Sequence, residues 1–184
     1  MITLPLRYSP KADILVGGEW LDVEAYYPGD RIRQVERASI RAFMENHREL
    51  LRGRVLDFGA GQKPYRELMQ GGHYFPFEIN DIAGASFGPF DTIMCNQVLQ
   101  YIENVPELLD GFAEWLVPGG HLVMTYPTNW DEVEHGDLWR FTKVGMDLLL
   151  RRAGFAIVEH VRRAEVVIAN FKFPLGYGVV CTRN

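Results

Sequence analysis

The residues best placed to do chemistry begin at Asp57-Phe-Gly59-Ala-Gly61, which follows the apolar run Arg54-Val-Leu and precedes a helix-compatible stretch. Glycine permits tight turn dihedrals and lets a ligand approach the backbone with no side chain in the way. A helix N-terminus beyond such a turn offers N–H groups to a polar ligand. Asp57 sits two residues before the first glycine, where its carboxylate can accept a hydrogen bond from an ammonium group. Pro64 stands where a dinucleotide fingerprint would carry its third glycine. Glu78 follows about twenty residues after the turn, at the end of a second strand-like run, where a carboxylate can take two vicinal hydroxyls of a ribose. Taken singly, the glycines read equally as a structural turn, and a solvated carboxylate is the lesser reading of Glu78. The ordered combination of strand, acid, GxG, helix, strand and acid is what points to a ligand.

The elements that must hold these residues can be read from hydrophobic spacing. Residues 1–30 are punctuated by Pro and Gly and carry Trp20, Tyr26 and Tyr27, and they read as an irregular leader packed on the domain. A helix is expected over 31–52, with Asp30 as N-cap and Ile32, Val35, Ser39, Ala42, Phe43 and Leu50 on one face, its Arg and Glu residues solvated. The core then runs from 53 to 184. It opens with the Arg54 strand, a helix starting at Pro64 and a strand at His73–Glu78 containing Pro76. Next come a strand at Phe90–Cys95, a helix from Val105 stopped by Pro118-Gly-Gly120, and a strand at His121–Tyr126. A helix capped by Thr142 and strands at Phe155 and Gly178 close it. Alternating strands and helices predict an α/β fold, a doubly wound, mostly parallel, Rossmann-like sheet of six to seven strands with an antiparallel strand near the C-terminus, in one domain. Ligands of such sheets bind beyond the carboxyl ends of the strands.

Bulk properties narrow the classes further. The chain of 184 residues is 47% apolar, and 19 basic against 24 acidic residues give a net charge of −5. No basic stripe supports a nucleic-acid partner. Cys95 and Cys181 lie in apolar runs and read as buried thiols, and no His/Cys spacing fits a metal, so none is expected. No signal-like start and no apolar run of membrane length is seen, so a cytoplasmic protein away from membranes is expected.

Three stretches carry a resemblance to a known family. Val55-Leu-Asp-Phe-Gly-Ala-Gly-Gln-Lys-Pro-Tyr65 is similar to VLDxGxGxxPY. Phe90-Asp-Thr-Ile-Met-Cys-Asn-Gln-Val-Leu-Gln-Tyr101 and Leu116-Val-Pro-Gly-Gly-His-Leu-Val-Met-Thr-Tyr-Pro127 are similar to FDxVxCxxVLEHV…LxPGGxLxxxxP. His135-Gly-Asp-Leu-Trp-Arg-Phe-Thr142 with Leu148-Leu-Leu-Arg-Arg-Ala-Gly-Phe155 is similar to DxWRFT…LLxxAGF. In this order they resemble the class I S-adenosylmethionine-dependent methyltransferases, in particular the type 11-like group.

The resemblance implies S-adenosylmethionine as cofactor. Its methionine part would lie against Asp57, Phe58, Gly59, Ala60 and Gly61, its ribose on Glu78 and its sulfonium beside Asn96 and Gln97. Two departures stand out. Gln100-Tyr101 replaces the family's acid–His pair. The span from Glu78 to Asp91 is too short for the usual helix, third strand and adenine-contacting acid. A missing helix and a vestigial or absent third strand are therefore expected, with Asp81 or Ser86 toward adenine and Phe87 stacked on it. A small-molecule acceptor is expected in the segment 126–140, with His135 as first choice for a base, because imidazole titrates near neutrality, and Tyr126 as a second. Trp139 and Arg140 are candidate pocket walls. A non-catalytic module on a degenerate fold of the same kind, and an NAD-binding oxidoreductase disfavoured by Pro64, are the competing readings.

Overall fold

The computed structural model of the chain describes residues 14–16, 19–21, 31–79, 88–129, 136–168 and 171–184. Part of the expected irregular leader is ordered: β1 (Ile14–Val16) and β2 (Glu19–Leu21) pair antiparallel as a separate two-stranded sheet. Asp30, Trp20's side chain, Tyr26 and Tyr27 lie outside the described residues.

The main sheet has six strands: β3 (Arg54–Phe58), β4 (His73–Phe77), β5 (Phe90–Asn96), β6 (Leu116–Pro127), β7 (Phe155–Ile168) and β8 (Phe171–Arg183). Their order is β4-β3-β5-β6-β8-β7. The pairs β3–β4, β3–β5 and β5–β6 are parallel, and β8 runs antiparallel to both neighbours. Among the described residues no strand lies beyond β4. Residues 80–87, where a further strand would start, lie outside the description.

Alternation along the strands divides the core in two. Val55, Met94 and Val123 pack against α1 (Arg31–Asn46) through Ile40, Phe43 and Met44. Leu56, Ile93 and Leu122 face the other way, toward Leu108, Leu109 and Phe112 of α2 (Val105–Trp115) and Met146 and Leu150 of α3 (Lys143–Arg152). Both of these helices start where capping chemistry puts them. Asn104 accepts from the Glu107 amide, and Thr142 accepts from the Gly145 amide at 3.1 Å.

Several local expectations change. The N-terminal helix ends at Asn46 rather than 52. A 3₁₀ turn at Arg48–Leu50 follows, and the Leu50 carbonyl accepts from Thr92 Oγ1 at 2.6 Å instead of continuing a helix. After Pro64 there is only a 3₁₀ turn at Arg66–Leu68. The Gln70 amide is already tied to the Leu51 carbonyl at 2.8 Å and Gly71-Gly72 follow, which leaves no room for a longer helix. Pro76 is tolerated because β4 is an edge. The His73 amide and the Phe77 carbonyl bond toward β3, so alternation turns the Pro76 nitrogen away from the ladder. Both cysteines are free and buried; burial raises their thiols, that of Cys181 to about 12.

Candidate functional site

The register of the parallel strands builds the site. Phe58 pairs with Phe77 on one side and with Cys95 on the other. The next residue of each strand therefore lies in a row across the sheet's carboxyl edge: Gly59, Glu78 and Asn96. The Gly59 and Ala60 amides both donate to the Phe77 carbonyl, at 2.8 and 3.1 Å, which staples the glycine turn to the end of β4. Gly59 has φ +74°, and a Cβ there would run into Val98 Cγ2. Both facts demand glycine at this position. Glu78 is exposed at the end of its strand, next to the turn.

Asp57 precedes the turn on the α1 side of the sheet. It is 2% exposed, and the Tyr74 hydroxyl donates to its Oδ2 at 2.5 Å. Burial raises the carboxyl to about 6. The Tyr74 bond opposes that rise and the Glu78 charge adds to it. Burial, together with Asp57 as an acceptor, also pushes the Tyr74 hydroxyl well above its ordinary range, so it remains a donor.

Beyond β5 the chain turns sharply. Gln97 is left-handed at φ +57°, a conformation costly for a residue with a side chain. Its amide donates to the Thr125 carbonyl at 2.9 Å. Its side-chain nitrogen donates to Glu36 Oε1 at 3.2 Å and its side-chain oxygen accepts from Arg163 Nη2 at 2.8 Å. Asn96 Oδ1 accepts from Thr125 Oγ1 at 3.0 Å, whereas its buried Nδ2 has no partner among the described residues.

A charged network underlies this turn. Arg163, 3% exposed, donates to the Tyr177 carbonyl and to Ser39 Oγ, each at 3.0 Å, and faces Glu36 at 3.7 Å. Burial lowers its guanidinium to about 10, held up by Glu36. Burial likewise raises Glu36, against the pull of Arg163. Glu36, Arg37 and Ile40 of α1, the Gln97–Tyr101 segment, Pro127, Asp137 and Arg140 enclose a cleft of about 170 Å³ at the carboxyl ends of β5 and β6. Arg140 is clamped to Asp137 at 2.6 and 2.5 Å, and Trp139 Nε1 donates to the Ile102 carbonyl at 2.8 Å. The Trp139 bond, with the Leu138 amide on the Gln100 carbonyl, ties the 136–140 segment to the edge of the cleft, and the Arg140–Asp137 pair braces the segment internally. A wider hollow of about 410 Å³ beside Arg66, His73 and Phe75 lies at the start of β4, the opposite end from the glycine turn.

The expected site residues separate accordingly. Asp57, Gly59, Ala60, Gly61, Glu78, Asn96 and Gln97 are brought to one edge. Phe58 is a correction: it is fully buried between Phe77 and Phe112, with ring centroids 5.5 and 5.0 Å away, so only its backbone borders the turn. Tyr126 is another. Its side chain is 0% exposed on the opposite face of the sheet, where its hydroxyl donates to His160 Nε2 at 2.6 Å and His160 Nδ1 donates to Asp147 at 2.5 Å. Burial drives that hydroxyl far above neutrality, so it does not fit a base at the cleft. Asp81 and His135 lie outside the described residues, as do Ser86, Phe87, Trp130, Asp131 and Glu134.

Sequence reasoning missed Glu36, Tyr74 and Arg163, and met Gln100 only as a departure from the family pattern. No parity signal marked Arg163, since Arg162 beside it is exposed and Val161 and Glu165, two residues away on either side, are only half-buried. Among the described residues no group of His, Cys, Asp and Glu could hold a metal, and no helix is long and apolar enough to cross a membrane.

Comparison with known proteins places the fold. Residues 29–160 match a family described as a methyltransferase domain. No curated protein matches the sequence. A solved S-adenosylmethionine-dependent methyltransferase from Archaeoglobus fulgidus superposes with a TM-score of 0.62 at 13% identity, over 81% of this chain and 94% of that one. One from Mesorhizobium loti gives 0.57 at 16% identity, over 81% and 100%. The 1,6-didemethyltoxoflavin-N1-methyltransferase of Burkholderia thailandensis, solved with its substrate and S-adenosylhomocysteine, gives 0.57 at 16% identity, over 86% and 92%. At these identities the likeness is one of fold.

Proposed function

The chain belongs to the methyltransferase-domain family, and on that premise we propose that it is an S-adenosylmethionine-dependent enzyme that methylates a small molecule seated in the cleft between α1 and the Gln97–Tyr101 segment. The observation that carries this reading is the row of Gly59, Glu78 and Asn96 across the carboxyl edge of three parallel strands.

These residues suit the cofactor chemically. The turn at Gly59 bares backbone, Glu78 offers two acceptor oxygens for vicinal hydroxyls, and Asp57 offers a carboxylate for the ammonium. Asn96 Nδ2 is a buried donor with no partner among the described residues, next to where the cofactor's carboxylate and sulfonium would lie. Asp81 or Ser86, in the short span after Glu78, is the proposed adenine contact. When bound, S-adenosylmethionine supplies a methyl group already activated by the sulfonium charge. The protein's part is then to hold the acceptor in line and exclude water. Gln97, fixed by Glu36, Arg163 and Thr125, makes a rigid wall for that purpose. His135, two residues before the cleft-lining Asp137, takes a proton from the acceptor where the nucleophile must lose one.

Titration calorimetry with S-adenosylhomocysteine tests the cofactor site, and transfer of labelled methyl to the small-molecule fraction of a cell extract tests turnover. An absence of binding by the folded protein rejects the reading. The sheet's end at β4, with no third strand among the described residues, favours one alternative, a non-catalytic module. Tight binding with no transfer to any extract would select it.

A further inference from the structure

Gln100 follows β5 in a 3₁₀ turn, Leu99–Tyr101, and is 5% exposed. Its side-chain nitrogen donates to the Gln97 carbonyl at 2.8 Å. A carbonyl can only accept, so this bond settles which end of the amide is oxygen. That oxygen, Oε1, is buried with no partner among the described residues. A buried acceptor left empty is costly, and native proteins rarely keep one without a use.

Gln100 lines the same small cleft as Glu36, and Gln97 ties the two together, its backbone carbonyl to Gln100 and its side chain to Glu36. Glu36 is likewise an acceptor: its side chain is 12% exposed, and its Oε1 accepts from the Gln97 side-chain nitrogen at 3.2 Å and faces Arg163 at 3.7 Å. This wall of the cleft therefore presents acceptor oxygens. The main-chain carbonyl of Gln100 is itself occupied by the Leu138 amide at 2.7 Å, which leaves the buried Oε1 as the residue's unpaired acceptor among the described residues. At about 170 Å³ the cleft is smaller than the roughly 300–1,000 Å³ of drug-sized sites, so it takes one ring or a short chain.

We propose that Gln100 is a specificity-determining residue for the methyl acceptor: its Oε1, with the Glu36 carboxylate beside it, accepts a hydrogen bond from an N–H or O–H of the substrate, which is a small hydroxylated or N–H-bearing molecule. This rests on the methyltransferase reading above. The Gln-Tyr pair in place of an acid and histidine then makes sense as recognition: a neutral amide reads a neutral donor without adding a buried charge. An analogue whose donor is capped by methyl leaves Oε1 unpaired and is rejected, which also disfavours rebinding of a product methylated at that atom.

The test is saturation-transfer NMR on protein saturated with S-adenosylhomocysteine. The probes are matched pairs: phenol and anisole, benzyl alcohol and benzyl methyl ether, N-methylbenzamide and N,N-dimethylbenzamide. The expected result is a preference of about tenfold or more for the donor-bearing member of each pair in the wild type, lost in Gln100→Met. Equal binding within pairs, no binding of the donor-bearing members, or an unchanged preference in Gln100→Met would overturn it. The wild-type comparison needs no variant, so a Gln100→Met chain that fails to fold leaves the decision intact. Failure of the wild type to bind S-adenosylhomocysteine sinks the methyltransferase reading instead.

Discussion

Consider the affinity for S-adenosylhomocysteine as pH falls from 7 to 4. In the free protein Asp57 is raised from its ordinary value of 3.8 to about 6, because burial disfavours the carboxylate more than the Tyr74 hydroxyl supports it. An ammonium group brought against Asp57 favours the carboxylate, so below pH 6 binding must expel a proton. If the ligand returns Asp57 to its ordinary value, affinity drops about tenfold between pH 7 and pH 5 and about sixtyfold by pH 4. Calorimetry in buffers of different ionisation enthalpy reads both the loss and the proton, nearly one released per ligand at pH 5. In Asp57→Asn the dependence vanishes. An affinity that stays flat from pH 7 to pH 5 in the wild type, or a slope that persists in Asp57→Asn, refutes the contact.

The same shift has the opposite sign for folding. Between 3.8 and 6 the native state holds more protons than the unfolded chain, so the stability of the ligand-free protein declines as pH rises through that window. The total is about 3 kcal/mol by pH 7.

Three other outcomes are expected. Gly59→Ala, forced to φ +74° and against Val98, loses about 1–3 kcal/mol and most of its affinity for S-adenosylhomocysteine; wild-type binding by this variant would show that the turn is structural only. Arg163→Met removes donors to Ser39 and the Tyr177 carbonyl and strands Glu36, and urea denaturation should register a loss of about 3–5 kcal/mol; a loss below about 1 kcal/mol contradicts the network. Tyr126→Phe gives up one hydrogen bond to His160, about 1 kcal/mol, and keeps methyl transfer; lost turnover with intact cofactor affinity would return Tyr126 to the candidate bases.

What could be read from the sequence was what local chemistry dictates. The turn at Gly59 requires left-handed backbone, Thr142 requires free amides ahead of it, and the apolar periods of α2 and β5 have one buried solution each. The mostly parallel sheet with an antiparallel strand near its end followed because strands that alternate with helices leave few topologies. Side-chain direction at the site was harder. Phe58 and Tyr126 sit one residue from positions that border the site, and a single step along a strand reverses the face. Counting parity from Val55 and Val123 would have put both in the core. Glu36 reads as one more solvated charge on an amphipathic helix because its partner, Arg163, comes from the far end of the fold. The length of the turn after Pro64 was decided by a bond between Gln70 and Leu51, which no window around Pro64 contains.

The position of β8 carries a consequence for synthesis. It lies inside the sheet, between β6 and β7, and pairs with both. A nascent chain that has emerged only as far as β7 has two strands that do not touch each other and an unclosed ladder along β6. Arg163 likewise waits for the Tyr177 carbonyl before its charge is fully coordinated. Truncation ahead of Phe171 therefore deletes an interior plank rather than a fringe, and should yield aggregation-prone material.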